Sequence, residues 1–291
     1  MNKYLSNKKA IFLFMLPAAV LYLTLVIVPI FRSGFYSFFQ WNTIGPRTFV
    51  GFQNFIDVLK DEKMIISLKN SLFLMVMMVF VCLPVSLIFA LILAKGIRGA
   101  KVFKVIFFIP VLMSSVTVAQ LWAKIYSPET GLLNVLLTRL GLESLTHSWL
   151  QDKSVVLVAT IIPVIWKAIG WYMLLMYTGA KGVSQDVYEA AKIDGANEFA
   201  VATRITIPLM SPTIKVCLTL ALMYALKEFD IVYNLTKGGP IYRTSVPLIY
   251  MYEKILSYYG YGSAISVIII IMCLIISIAV RKFFPKIDTT L

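Results

Sequence analysis

The stretch EAAKIDGANEFAVATRITIP, residues 189–208, is polar and helix-prone, yet it stands between two long apolar runs of the chain. It is interrupted by Gly195 and ends at Pro208. A glycine commonly terminates a helix, and a proline is well tolerated in the first turn of the next one. The pattern therefore predicts two short helices on either side of Gly195, set between two hydrophobic segments.

The composition of the chain is that of a membrane protein with several spans. Its 291 residues are 59% hydrophobic and 14% charged, and the mean hydropathy is +0.84. Soluble domains carry about 25% charged residues. The net charge of +13 would suggest nucleic acid in a soluble protein, but here the charges flank apolar runs. Membrane topology and anionic lipid account for them, and no nucleic-acid partner is expected.

Six apolar runs are long enough to cross a membrane. A bilayer core about 30 Å thick requires roughly 20 apolar residues in a helix. The first run is too long for a signal-peptide core and is expected to be retained. We predict an all-α integral membrane protein with an N-terminal segment 1–9, a membrane domain 10–283 and a tail 284–291. The six runs are 10–32, 70–94, 103–125, 154–178, 209–232 and 263–283.

The distribution of lysine and arginine predicts the orientation. The short connection 95–104 carries four positive residues and no acidic one. Cytoplasmic loops are enriched in positive charge. Both termini and residues 179–208 are therefore expected on the cytoplasmic side of a prokaryotic cell membrane. The opposite connections, 42–69 and 126–153, each contain an amphipathic pattern that predicts a short helix, and 236–262 contains a tyrosine cluster expected to anchor at the interface.

The sequence offers little for catalysis or for metal binding. There is no GxxxxGK[ST] nucleotide loop, and His147 is the single histidine. The three cysteines lie inside apolar runs without CxxC spacing and are expected to be small buried side chains. The runs contain Lys167, Lys215, Lys227, Glu228 and Asp230, most of them expected near helix ends. A secondary transporter acting alone and an intramembrane enzyme remain alternatives.

The opening stretch also has the shape of a docking element. Ser184 is a suitable N-cap for a helix from Gln185 to Asp194. Val187, Tyr188 and Ala191, with Ile193 as a further candidate, give this helix an apolar side. Such a surface suits the groove of a partner protein, and an ordinary interfacial loop is the alternative.

The same residues carry a family resemblance. Glu189–Ala190–Ala191, Gly195, Ile205 and Ile207–Pro208 together resemble the EAA motif of binding-protein-dependent ABC importer permeases, with Ile207 in place of the usual leucine. Further matches resemble the carbohydrate-importer branch, and the overall pattern is most similar to subunits of the MalF/UgpA type. These matches are Phe229–Asp230, Leu235–Pro240, Phe108–Pro110, Trp122 and Gly131–Asn134.

The resemblance implies a fold, a set of partners and a coupling region. The fold is the type I ABC importer, or MetI-like, permease fold with six transmembrane helices. The implied partners are a second permease subunit, a cytoplasmic ABC ATPase dimer and an extracytoplasmic solute-binding protein. ATP and Mg would be bound by the ATPase, so no cofactor is expected in this chain. Coupling would run through residues 185–207, and the implied coupling residues are Tyr188, Glu189, Ala190, Ala191, Asp194 and Gly195.

Two groups of residues are candidates for lining a carbohydrate site. In a continuous helix, Tyr224 and Glu228 share one face and Lys227 lies beside it. Lys227 and Glu228 stand where the maltose-type relative has amides, which admits a charged or modified glycan. Pairing of these two charges with neighbours at a helix end is the alternative, and a polyamine or amino acid is a rival solute. The second candidate lining is Gly170, Trp171 and Tyr172, for which an aromatic core or belt is the alternative.

Overall fold

The computed structural model describes residues 8–283, and these are predominantly helical. The predicted segment 1–9, apart from Lys8 and Lys9, and the predicted tail 284–291 lie outside the described residues. The helices, in chain order, are α1 Lys8–Tyr36, α2 Gln53–Lys60, α3 Glu62–Ala94, α4 Ala100–Leu112, α5 Ser115–Ile125, α6 Leu132–Arg139, α7 Val156–Lys181, α8 Gln185–Ile193, α9 Glu198–Leu209, α10 Ser211–Leu226, α11 Asp230–Thr236, α12 Pro247–Ile255 and α13 Tyr259–Phe283.

All six apolar runs form helix, but two of them are bent. Helices α1, α3, α7 and α13 are each long and apolar enough to cross a membrane. Helices α4 and α5 meet at 99°, and α9 meets the segment that begins with α10 at 71°. The described part of the chain thus has four candidate spans, or six if each bent pair crosses once.

Prolines explain three local distortions of the helices. A widened π turn occurs at Leu23–Ile27, at Met78–Cys82 and at Val201–Thr206. Each π turn is followed by a helical segment with proline at its second position: Pro29, Pro84 and Pro208. Proline has no N–H and its ring crowds the carbonyl four residues earlier, so the preceding turn widens to accommodate it.

The bend between α4 and α5 has a clear local cause. Met113 and Ser114 adopt extended backbone, and the Ser114 hydroxyl accepts a hydrogen bond of 3.1 Å from the amide of Thr117. Ser114 therefore caps a new helix instead of continuing the previous one. The predicted run 103–125 is not one straight helix.

The chain divides into two compact units. The small unit comprises residues 8–61 and 251–270, and the large unit comprises residues 62–250 and 271–283 of the described chain. In the small unit, α1 is exposed along its apolar window, and strands β1 Phe39–Gln40 and β2 Thr48–Phe49 pair antiparallel. The amide of Asn54 donates to the carbonyl oxygens of Ser37 and Phe39, at 2.8 and 3.0 Å, and fixes α2 against this hairpin.

In the large unit, α7 is the central helix. It packs against α3, α4, α5, α10 and α11. The Ser86 hydroxyl donates to the Ile169 carbonyl oxygen at 3.1 Å and joins α3 to α7. The fully buried core side chains include Met78, Cys82, Val164, Met173, Cys217 and Ala221.

The predicted short helices in two connections are present as α2 and α6. In the connection 236–262, residues 247–255 form α12, which was not predicted. Tyr250 of this helix is fully buried, whereas Tyr252 and Tyr258 are exposed. The tyrosine cluster is therefore not a uniform interfacial belt, since one member is part of the core.

Candidate functional site

The EAA segment, residues 185–207, folds as a helix, a bend and a second helix. Ser184 has extended backbone directly before α8, although its side chain accepts no capping hydrogen bond. Gly195 has a φ of +75°, which glycine adopts without strain. The Asn197 side-chain oxygen accepts from the amide of Ala200 at 2.8 Å and starts α9. The local turn chemistry of the sequence therefore produces the predicted arrangement.

The two faces of the EAA segment differ in exposure. Ala191 is buried and Val187 and Tyr188 are half-buried, so the apolar side of α8 faces its own chain. Ile193 is 86% exposed and Phe199 is 78% exposed. The predicted apolar side therefore does not form one surface for a partner, because Val187, Tyr188 and Ala191 pack on their own chain and only Ile193 faces outward. The outward face also carries Glu189, Ala190, Asp194 and Gly195.

Tyr188 links α8 to the helices on both sides of it. Its hydroxyl donates to the Ala180 carbonyl oxygen in α7 at 3.4 Å and lies 3.3 Å from the Thr206 hydroxyl in α9. These distances are at the long end for hydrogen bonds, so the contacts orient the helix more than they stabilise it. An ion pair between Lys95 and Glu198, 2.6 Å between Nζ and Oε2, joins α9 to the end of α3. Because both side chains are exposed, this pair contributes little to stability.

The first predicted lining, Tyr224, Lys227 and Glu228, does not form one face. Helix α10 ends at Leu226, and Lys227 at its C-terminal cap is exposed. Glu228 is only 4% exposed; it is hydrogen-bonded to the Tyr224 side chain and accepts from the Ile231 amide at 3.0 Å. The face inferred from helical spacing requires a continuous helix, and the break after Leu226 removes it. The alternative of local pairing at a helix end describes Glu228.

Glu228 satisfies a buried donor at the start of α11, and its substitution gives a testable consequence. In Glu228→Ala the Ile231 amide would lose its acceptor, which costs about 1–3 kcal/mol for a buried polar group. Glu228→Gln keeps a side-chain oxygen at the same place. Its loss in free energy of unfolding is expected to be less than half of that in Glu228→Ala. Thermal unfolding in detergent, followed by the reactivity of the buried Cys82 thiol, measures both. Equal losses in the two variants would show that the negative charge, not the acceptor, is what matters.

The second predicted lining, Gly170, Trp171 and Tyr172, is spread over different faces of α7. A Cβ at Gly170 would overlap the carbonyl oxygen of Phe107 in α4, so this glycine permits close helix packing. Trp171 is 46% exposed and points outward, whereas Tyr172 is 3% exposed. Tyr172 lies in α7, which packs against α10, the helix that carries Tyr224. We define Tyr172, Tyr224 and Glu228 as the inner cluster, since the structure brings these three candidates together.

The LTKGGP stretch, residues 235–240, spans the end of α11 and the start of a loop, and the loop is held on α3 through residues 242–245. Asn70 donates to the carbonyl oxygens of Arg243 and Ser245, at 3.0 and 2.8 Å. The Ser67 hydroxyl donates to Ser245 at 2.9 Å, and Lys63 donates to the Tyr242 hydroxyl at 2.8 Å. Sequence reasoning did not identify this set of anchors. The signal that could have found it is an asparagine at the first position of an apolar run.

The described residues contain no group of three or more histidine, cysteine, aspartate or glutamate side chains that could hold a metal ion. His147 lies 2.9 Å from a carboxylate oxygen of Asp152 in the connection between α6 and α7. Hydrogen bonds lower the pKa of Asp152. The largest contribution comes from the Ser154 side chain, the next from the Ser154 backbone and the third from His147. Asn134 accepts from the Trp149 indole at 2.7 Å and donates to the His147 carbonyl oxygen, so this group organises a loop.

A cavity of about 520 Å³ occurs in the small unit. It is polar and aromatic, and Asn54, Asp57, Tyr258 and Tyr261 are among its lining residues. None of the predicted lining residues belongs to it.

Comparison with known proteins identifies the family. Residues 67–289 match the family described as binding-protein-dependent transport system inner membrane component. The probable ABC transporter permease protein YurN of Bacillus subtilis (strain 168) is 33% identical over 283 residues, covering 96% of this chain and 97% of the relative. The trehalose/maltose transport system permease protein MalF of Thermococcus litoralis is 34% identical over 277 residues, covering 93% and 92%.

A solved structure shows the same fold. One chain in the crystal structure of a bacterial alginate ABC transporter, in complex with an alginate pentasaccharide-bound periplasmic protein, aligns with a TM-score of 0.85 at 25% identity. The alignment covers 99% of this chain and 98% of that chain. The helical importer fold implied by the resemblance is therefore confirmed. The chain belongs to the family of binding-protein-dependent transport system inner membrane components and is a permease subunit of an ABC transporter, whose ATPase is a separate component.

Proposed function

We propose that this permease imports a carbohydrate, in the form of an oligosaccharide delivered by an extracytoplasmic solute-binding protein. The observation that carries the proposal is the similarity, over more than nine-tenths of both chains, to a permease named for trehalose and maltose. The similarly folded chain whose transporter was crystallised with a pentasaccharide-bound periplasmic protein supports the same substrate class. A second permease subunit would complete the pore.

The coupling role of the EAA segment rests on its outward face. Two large apolar side chains, Ile193 and Phe199, are exposed on either side of Gly195, next to the acidic Glu189. Exposed apolar groups rimmed by polar residues mark interaction sites. We assign this face to a cleft of a cytoplasmic ATPase dimer, which binds the ATP and Mg. Both termini are then cytoplasmic, in agreement with the positive charge of 95–104, and α1 exposes its apolar side chains to lipid.

The helix connections suggest how force would reach the inner cluster. Helix α8 is joined to α7 and α9 by short connections, and Tyr188 orients it between them, so a pull on α8 would move the ends of both helices. Helix α10 follows α9 after a bend and is about 24 Å long from its 16 residues. Its far end carries Tyr224 and the break occupied by Glu228. Rocking of α10 would open the inner cluster alternately to the two sides of the membrane.

The inner cluster has the chemistry that a sugar site requires. Broken helices near the middle of a membrane commonly form transporter binding sites. Tyr224 offers an aromatic face for a sugar ring, and Glu228, which accepts from the Ile231 amide, holds the Tyr224 side chain in place through their hydrogen bond. Of the candidate lining residues, the proposed sugar site accordingly keeps Tyr172, Tyr224 and Glu228. Lys227 and Trp171 point elsewhere, and Gly170 serves helix packing.

Transport by the reconstituted complex tests the proposal. The complex of this chain with its partner subunits should take up oligosaccharide only when ATP is supplied. Tyr224→Ala is expected to lower uptake at least about tenfold while the complex still assembles, and Tyr224→Phe, which keeps the ring for stacking, is expected to lose less. Uptake without the ATPase would refute the ATP-driven mechanism, and unchanged kinetics in Tyr224→Ala would remove Tyr224 from the site.

A further inference from the structure

Lys167 places a positive charge in the middle of a candidate span. It is the twelfth of the 26 residues of α7. At a rise of 1.5 Å per residue it lies about 16 Å from one end of the helix and about 21 Å from the other. The four-carbon stem of a lysine cannot reach either end from there, so Lys167 is an exception to the expectation that charges in the apolar runs lie near helix ends.

The described residues offer Lys167 one neutral acceptor. Its Nζ donates to the Ser115 hydroxyl at 3.1 Å. Neither the ion pair Lys95–Glu198 nor the ion pair His147–Asp152 includes Lys167. Glu228, the buried carboxylate preceding α11, which packs against both α5 and α7, is already engaged by Tyr224 and the Ile231 amide. A lysine has three N–H donors, so Lys167 keeps binding capacity for a further acceptor.

The position of Ser115 makes it more unfavourable to hold the positive charge of Lys167 inside the membrane. Ser115 is the first residue of α5, immediately after the 99° bend from α4. The N-terminal end of a helix carries a partial positive charge. If Lys167 served only to hold two helices together, a carboxylate or a helix C-terminus would be the favourable partner. Here two positive groups of the protein converge on one point in the membrane, which favours an anion that binds there.

We propose that Lys167, together with Ser115, binds the anionic group of a carbohydrate during its passage and gives the permease a preference for acidic over neutral glycans. The recognised group is a carboxylate, phosphate or sulfate attached to the sugar. This inference rests on the proposed function, because it concerns the substrate of the same transporter. It adds a specificity-determining residue that lies outside the inner cluster.

Matched pairs of sugars test the proposal in the complete reconstituted complex. The probes are trigalacturonate and its neutral methyl ester, with glucose 6-phosphate and glucose as a second pair. The measured quantity is sugar-stimulated ATP hydrolysis, resolved into kcat and KM. The solute-binding protein is the same for every permease variant, so its own preference cancels when a variant is compared with the wild type. The two pairs separate a carboxylate-bearing from a phosphate-bearing substrate.

The wild type is expected to prefer the acidic member of at least one pair. Lys167→Met should lower kcat/KM for that acidic sugar by about tenfold to hundredfold, as expected for loss of a charge-assisted hydrogen bond, and change the neutral partner by less than about twofold. Lys167→Arg keeps the charge and should retain most of the preference. Ser115→Ala keeps the lysine and should have a smaller effect than Lys167→Met.

Three results would overturn the inference. One is a wild type that is stimulated by the neutral sugars and not by the acidic ones, which leaves carbohydrate import intact. Another is an equal loss for both members of a pair in Lys167→Met, which would reduce the lysine to a support for α5. The third is stimulation by no sugar of either kind, which would remove the proposed function together with this inference. Reactivity of the buried Cys82 thiol verifies that each variant is folded.

Discussion

Replacing Gly170 by alanine is expected to leave little folded permease. The added Cβ would overlap the carbonyl oxygen of Phe107 and lie 2.9 Å from its carbonyl carbon. Because the obstacle is backbone, no side chain can turn away to relieve it. Helices α4 and α7 would have to separate, and overpacking of this kind costs about 3 kcal/mol or more when the backbone must move. Since α7 is the central helix of the large unit, the loss would affect the whole unit.

The fraction of folded protein after detergent extraction measures this effect. Cys82 and Cys217 are fully buried, so a thiol-reactive dye reports unfolding directly. Gly34→Ala is the matched control, since Gly34 is also helical and a Cβ there meets nothing within 4 Å. Alanine at Gly34 should leave the unfolding temperature unchanged or raise it slightly, because alanine favours helix. A Gly170→Ala protein as stable as this control would show that α4 and α7 do not approach as closely as described.

Replacing Ile193 by aspartate is expected to disconnect the permease from its ATPase. Ile193 is almost fully exposed in this chain, so the substitution should not disturb its folding. On docking, the variant would lose roughly 1.5–3 kcal/mol of apolar burial and would bury a carboxylate without a partner. We expect association with the ATPase to weaken about a hundredfold or more, and ATP-driven uptake to disappear. Phe199→Asp should act in the same direction.

The control for this experiment is an equivalent change on the side proposed to be extracytoplasmic. Leu256 is an exposed apolar residue that follows α12, in a connection proposed to be extracytoplasmic. Leu256→Asp should co-purify with the ATPase as well as the wild type does. Normal co-purification of Ile193→Asp and Phe199→Asp would contradict the assignment of this face to the ATPase.

The structure of the EAA segment could be predicted from the sequence, because it depends on local residue types. Gly195 provides the positive φ that ends the first helix, and Asn197 provides the capping oxygen that starts the second. Both effects depend on neighbouring residues only. The long spans were predictable for a related reason, because uninterrupted apolar runs of this length have few other stable structures in a bilayer.

The candidate substrate site could not be derived in the same way. Its geometry depends on two interruptions inside apolar runs, at Met113–Ser114 and after Leu226. Both points lie inside apolar runs, so hydropathy does not mark them. The predicted face of Tyr224, Lys227 and Glu228 therefore assumed a continuous helix. Ser114 is a favoured N-cap residue type, and it could have revealed the first break. Which face of α7 meets α4 depends on tertiary packing, which a single sequence does not display.

Site-specific crosslinking from the EAA segment is the most direct test of the coupling account. A photo-reactive amino acid would replace Glu189 in the assembled transporter, and the same group would replace Leu140, an exposed residue at the end of α6, in a parallel sample. The account predicts a crosslink to the ATPase from position 189 and none from position 140. A crosslink to the ATPase from position 140, with none from position 189, would place the contact on the other connection and contradict it.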